Sequence, residues 1–210
     1  MVLEKINKTY GNNIIFKDLS CEFEEGKITA VLGESGVGKT TLINIIAGLT
    51  DFSGKVECDK ISVVFQEDRL IPNLTVKDNL KIVNPNVEVE KELESVGLID
   101  AINKFPSELS AGMARRVAIL RALICNNPLL LMDEPLRNLD YAMKYKLMDL
   151  FKEYHQEYHN TIIFVTQSID EAVYLADRVV ILGNEGIVKD IRKIRKNSRE
   201  EILKFFIGKK

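Results

Sequence analysis

Gly33-Glu34-Ser35-Gly36-Val37-Gly38-Lys39-Thr40 is the stretch that decides how this chain is read. It has the spacing of a phosphate loop: a glycine, four residues, then Gly-Lys-Thr. The flanks agree. Residues Lys27 to Leu32 read as a short buried strand, and Thr40 to Leu49 as an amphipathic helix stopped at Gly48 and Asp51. Glycines without Cβ let such a loop wrap until successive backbone N–H groups point inward at phosphate oxygens. The helix behind it turns its unpaired N–H groups and positive dipole end toward the same anion. Lys39 adds a full charge near the β and γ phosphates, and the Thr40 hydroxyl can take a Mg²⁺ position. An ordinary glycine-rich strand–helix turn needs neither of those two side chains. The stretch predicts a binder of nucleoside triphosphate.

A length of 210 residues suits one sizeable α/β domain, or one domain carrying a small subdomain. With 46% hydrophobic residues, a buried core is expected, and a formal charge of −2 gives no global pull toward nucleic acid or anionic lipid. Cys21, Cys58 and Cys125 are far apart and odd in number, which argues for a reducing compartment rather than a disulfide framework. No apolar run reaches membrane-span length and no signal-peptide core is visible, so the chain reads as cytoplasmic, free to dock on a membrane protein.

Residues Val2 to Ile6 and Ile14 to Glu24 alternate apolar and polar like half-buried antiparallel strands, with 9–13 as a turn. Two readings stand for Tyr10: an aromatic covering a sheet edge, or a ring stacked on a nucleotide base. Two short strands follow, Gly54 to Cys58 and Ile61 to Phe65, the second ending at Gln66. Ligand sites of such sheets gather at the carboxyl ends of strands, which makes Gln66 a candidate metal or water contact. From 67 to 106 the pattern turns helical, with Thr75 as an N-cap for Val76 to Ile82 and a second helix over Val89 to Val96. Leu70, Ile71 and Leu74 cluster around Pro72, as a packed subdomain or a partner surface. Leu109-Ser110-Ala111-Gly112-Met113 opens a helix running over Ala114 to Cys125, a second small-residue helix start able to meet an anion.

The run Leu129 to Met132 is apolar throughout, as a central parallel strand covered on both faces should be, and leads into Asp133-Glu134-Pro135. Two adjacent carboxylates there are costly to desolvate unless they face a cation or water. With the loop at Gly33, Asp133 fits the acid that holds Mg²⁺, and Glu134 the base that orients and deprotonates attacking water. A helix over Tyr141 to Tyr158 starts near Asp140. His155 and His159 lie four apart on one face, which suits a solvated helix end better than a metal pair. Thr161 to Val165 reads as the next buried strand, then a helix over Ile169 to Ala176, a hairpin over Arg178 to Ile191, and a last helix capped by Ser198 before a frayed 208–210.

Taken together, these elements in this order resemble an ABC-transporter ATPase subunit, and the resemblance spans essentially the whole chain. Tyr10 resembles the adenine-stacking aromatic and Gly33 to Thr40 the Walker A loop. Gln66 matches the Q-loop residue, Leu109 to Met113 the signature, and Leu129 to Asp133 Walker B. Glu134 matches the catalytic carboxylate and Leu139-Asp140 the D-loop. The segments 65–72 and 165–172 are most similar to nitrate/sulfonate/taurine-type importers. The resemblance implies one α/β P-loop NTPase domain of RecA-like type over 1–210. It would have a mixed, mostly parallel sheet core, an antiparallel β subdomain including 1–26, and a small helical subdomain within about 67–127. It implies ATP and Mg²⁺ as ligands. Gly33, Glu34, Ser35, Gly36, Val37, Gly38, Lys39, Thr40, Thr41 and Tyr10 would bind nucleotide, as would Ser110, Ala111, Gly112 and Asp140. Thr40, Gln66 and Asp133 would hold the metal, and Glu134, Lys39, Gln167 and Gln66 would serve catalysis.

It further implies a head-to-tail dimer with ATP between Walker A of one copy and the signature of the other, a transmembrane permease as partner, and peripheral attachment to the inner membrane face. No nucleic-acid partner is expected. The sequence departs from the family's pattern in places. Ala111 stands where a second signature glycine is usual, Met113 where glutamine is, and Arg137-Asn138 replace small D-loop residues. Gln167 occupies the switch-histidine position, and a glutamine can hydrogen-bond but cannot carry a proton at neutral pH. Slow hydrolysis is therefore expected. Two alternatives remain open on the sequence alone: a soluble ABC ATPase without a permease, and a weakly hydrolysing ATP-binding subunit of a heterodimer.

Overall fold

The computed structural model describes residues 1–195 and 197–208. Residues 209 and 210 of the expected frayed end lie outside them. Alternating burial pairs β1 (Val2–Tyr10) and β2 (Asn13–Glu22) into an antiparallel hairpin. Its turn is tighter than the sequence predicts. Strand β1 runs through Tyr10, and only 11–12 turn, with Gly11 at φ 57°. Strand β3 (Ile28–Leu32) is buried throughout and leads through the glycine-rich loop into α1 (Lys39–Ile46), whose Leu42, Ile43, Ile45 and Ile46 face the core. Strand β4 (Ser53–Glu57) then pairs with β1, giving a three-stranded antiparallel sheet of order β2-β1-β4.

Between β5 (Ile61–Val64) and β6 (Leu129–Asp133) come α2 (Val76–Lys81), α3 (Val89–Ser95) and α4 (Ala111–Leu123). The α4 helix begins three residues earlier than expected, because the Ser110 hydroxyl accepts the Met113 N–H and fixes the first turn. Thr75 caps α2 as expected, accepting from Asp78 N–H. Leu70 packs against the core, so of the expected cluster around Pro72 it is Ile71 that is exposed. The chain finishes with α5 (Tyr141–Tyr158), β7 (Thr161–Thr166), α6 (Ile169–Leu175), β8 (Arg178–Gly183), β9 (Gly186–Ile191) and α7 (Ser198–Ile207). Ser198 does not cap α7. It is the first helical residue, and its hydroxyl instead accepts the Arg195 N–H at 2.8 Å.

The main sheet has the order β5-β6-β7-β3-β8-β9, parallel except for β9. Apolar residues alternate between two cores, one on each face. Leu130, Met132, Ile162 and Phe164 meet the side bearing α4, α5 and α6. Leu129, Leu131, Ile163 and Val165 meet the side bearing α1 and the antiparallel sheet. Cover on both faces is why β6 and β7 carry no polar alternation. Parallel register brings the ends of β3, β5, β6 and β7 to one edge, with Leu32 opposite Thr166, Val64 opposite Met132, and Asp133 opposite Val165. Whatever follows those strands converges there.

Candidate functional site

Four strand ends supply the site. The loop after β3 passes Gly33 at a close approach, where a Cβ would meet Val37 Cγ1 at 2.7 Å and the Leu182 carbonyl oxygen at 3.1 Å. Gly38 takes φ 104° as the N-cap of α1, and a Cβ there would strike Ile15 Cγ2 at 2.7 Å. No side chain caps this helix. Its first-turn N–H groups are therefore left for whatever enters the loop. Lys39, only 6% exposed, donates from Nζ to the carbonyl oxygens of Gly33 and Glu34, both at 2.8 Å. Burial lowers its pKa, and the nearby Glu134 and Asp133 carboxylates pull it back up.

Asp133 ends β6 almost wholly buried, and desolvation pushes its carboxyl above the ordinary range. The Thr40 hydroxyl hydrogen-bonds it and works the other way. Two hard oxygen donors, a hydroxyl and a carboxylate, thus sit together at the start of α1, the donor set a magnesium ion takes. Glu134 adopts φ 44°, and its N–H continues the ladder to the Val165 carbonyl oxygen at 3.0 Å. Its Oε1 accepts from Gln167 Nε2 at 2.6 Å. The pair joins the ends of β6 and β7 and leaves the second carboxylate oxygen available.

An open cleft of about 500 Å³ lies over these groups. Of the residues expected to bind nucleotide or serve catalysis, Tyr10, Ser35, Gly36, Gly38, Lys39, Thr40, Thr41, Gln66, Glu134 and Gln167 line it. Of the other expected loop residues, Gly33 is buried beneath it, while Glu34 and Val37 do not line it. Tyr10 is half-exposed, with the Lys8 ammonium 4.5 Å from its ring centroid. Lys8 is held there by Asp51 at 3.0 Å.

Ser110, Ala111, Gly112 and Asp140 do not line the cleft. Ser110 and Ala111 are exposed at the start of α4, and Asp140 is exposed as the N-cap of α5, accepting from Met143 N–H at 3.0 Å. These two helix starts are neighbours: a Cβ on Gly112 would lie 3.6 Å from Leu139 Cδ2. Signature and D-loop matches therefore share one exposed corner.

Three residues escaped the sequence reading of the site. Ile15 lines the cleft only because the β1–β2 register carries it there. Arg137, met in the sequence only as a departure from the D-loop pattern, also lines the cleft. Arg115, 4% exposed, reaches from α4 to the Pro135 carbonyl oxygen at 2.8 Å, Glu134 at 2.9 Å and Asp133 at 3.1 Å. It also donates to the Phe65 carbonyl oxygen and pairs with Asp68 at 3.3 Å. An arginine inside an apolar helix pattern was the only signal for it.

Residues 16–137 match the family described as "ABC transporter". The chain is 40% identical over 184 residues to the aliphatic sulfonates import ATP-binding protein SsuB 2 of Pseudomonas syringae pv. tomato, covering 84% of this chain and 79% of that protein. It is 37% identical over 200 residues to SsuB 1 of Paracoccus denitrificans, covering 91% and 83%. Among solved structures, it is similar to the dimeric post-hydrolysis state of the ATP-binding cassette MJ0796 bound to ADP and Pi. There the TM-score is 0.82 at 29% identity, covering 92% of this chain and 98% of that one.

Proposed function

Because the chain belongs to the ABC transporter family, as an ATP-hydrolysing subunit, we propose that two copies clamp ATP between the cleft of one and the exposed α4 start of the other. The work goes to a membrane permease that imports a small solute of the sulfonate class, attached at the inner membrane face. The observation that carries this is the split just described: phosphate-facing groups on one strand edge, and the signature corner exposed and outside the cleft. The relatives' printed names support import, and the dimeric neighbours support the pairing. Among the described residues no helix is long and apolar enough to cross a membrane.

In this reading the adenine stacks on Tyr10, and the phosphates take the N–H groups of 35–41 with the Lys39 charge beside them. Thr40, Asp133 and Gln66 would hold magnesium, which when bound neutralises charge on the β and γ phosphates. Glu134 takes a proton from the water that attacks the γ phosphorus as the bond to the ADP oxygen breaks. Gln167 fixes the orientation of Glu134 through its amide, and being unable to hold the proton, it leaves the step slow. Loss of the shared anion then releases the two halves. The test is Glu134→Gln. Steady-state phosphate release is expected to fall about 10²–10⁴-fold while MgATP drives the variant into a dimer on gel filtration. Unchanged release, or no nucleotide-dependent dimer, overturns the proposal.

A further inference from the structure

The cleft contains a second cation. Arg137 lines it together with Lys39, Gln66, Glu134 and Gln167. No side-chain hydrogen bond or ion pair engages its guanidinium among the described residues. Glu134, which lines the same cleft, pairs instead with Gln167 at 2.6 Å.

The turn that presents Arg137 is fixed at both ends. Glu134 and Asn138 take φ 44° and 61°, in the left-handed region, and the Arg137 N–H bonds back to the Glu134 carbonyl oxygen at 3.2 Å. Leu136 is buried at 1% exposure, and the Pro135 carbonyl oxygen is held by Arg115. Arg137 is therefore an exposed, always-charged fork on an anchored turn. Tyr10 and Ile15 lie at the β1–β2 hairpin, while Arg137 comes with Glu134 and Gln167 from the ends of β6 and β7. Arg137 and the phosphate-loop residues Ser35, Gly36, Lys39 and Thr40 thus line one cleft from different strand ends.

We infer that Arg137 binds the terminal phosphate of ATP held by its own copy, forming with Lys39 a clamp of two cations around the triphosphate tail. This rests on the reading of the cleft as an ATP site. A guanidinium suits the task, since its planar donors match a phosphate's oxygens two at a time. It also adds positive charge to a cleft in which Gln167 supplies none. The consequence is discrimination: a diphosphate stops short of the clamp.

Calorimetry with magnesium on the full chain decides it, using ATPγS and ADP against the wild type, Arg137→Ala and Arg137→Lys. Arg137→Ala is expected to weaken ATPγS binding about tenfold and ADP binding by less than about twofold, the loss of one charge-assisted contact. Arg137→Lys should fall between, because it keeps the charge and loses the fork. Equal loss for both nucleotides, or no loss for either, overturns the inference. So does unchanged binding with lost ATPγS-driven dimerisation, which would put Arg137 to work on the partner copy. If the wild type binds neither nucleotide, it is the ATP reading itself that falls.

Discussion

Two helices here begin at small residues, and they use that start in opposite ways. Helix α1 follows Gly38 with no capping side chain, buried at the floor of the cleft, and a lysine folded across the loop in front of it. Helix α4 follows Ser110, whose hydroxyl already takes one first-turn N–H, and it opens on the surface. The first is an inward socket formed by residues of one chain. The second is presented outward beside Leu139 and Asp140. Chemistry that needs both starts on one phosphate tail is bimolecular in this protein, and its rate should depend on how two copies meet.

Between the two helix starts, the larger expected effect comes from spoiling the outward one alone. Ser110→Arg should cut steady-state hydrolysis about 100-fold, the cost of losing a donor to developing charge, with single-copy MgATP affinity held within about twofold. Equal loss of affinity would mean α4 belongs to the same socket as α1, and the contrast between the helices would be gone. A smaller effect is expected inside the socket. Gln167→His should raise turnover roughly tenfold, well below what a full acid–base partner contributes, because Glu134 is already present. A rapid-mix phosphate assay reads it, and unchanged turnover denies position 167 any part in proton handling.

The mildest test lies away from both starts, in a pair closed within one copy. Arg178, 8% exposed, donates to Asp190 at 2.8 and 3.0 Å. That hydrogen bond holds the Asp190 carboxyl below its ordinary 3.8. A depressed carboxylate stabilises the fold above its unfolded pKa and stops doing so as pH falls through the lowered folded value. Asp190→Asn should therefore lose about 1–3 kcal/mol in urea melts at pH 7, and progressively less below about pH 4. A gap that stays constant with pH would assign the loss to packing rather than charge.

The sequence disclosed the socket because its parts are consecutive. Gly33 to Thr40 state their geometry in eight residues, and Asp133-Glu134 announce themselves by following an apolar strand. Ser110 and Asp140 are likewise local signals, since capping involves neighbours three residues apart. Ile15 was invisible because its place depends on register across a hairpin, where a one-residue slip reverses faces. The place of Arg137 in the cleft was hidden for a similar reason: two left-handed residues, Glu134 and Asn138, re-aim the chain after β6, and neither is a glycine that would have flagged it. Ser198 misled because a serine at a helix start serves equally well one position inside it, bonding backward to Arg195.

Arg115 sets a mechanical condition on the whole. One guanidinium grips the carbonyls of Asp133 and Glu134, the carbonyl before Gln66 and the acid at Asp68, and it is rooted in the helix that Ser110 begins. A tilt of that helix toward a neighbouring copy would be felt, through a single side chain, by the backbone that aims Glu134 and by the segment bearing Gln66. Movement at that corner would thus reach two strand ends through one shared set of hydrogen bonds.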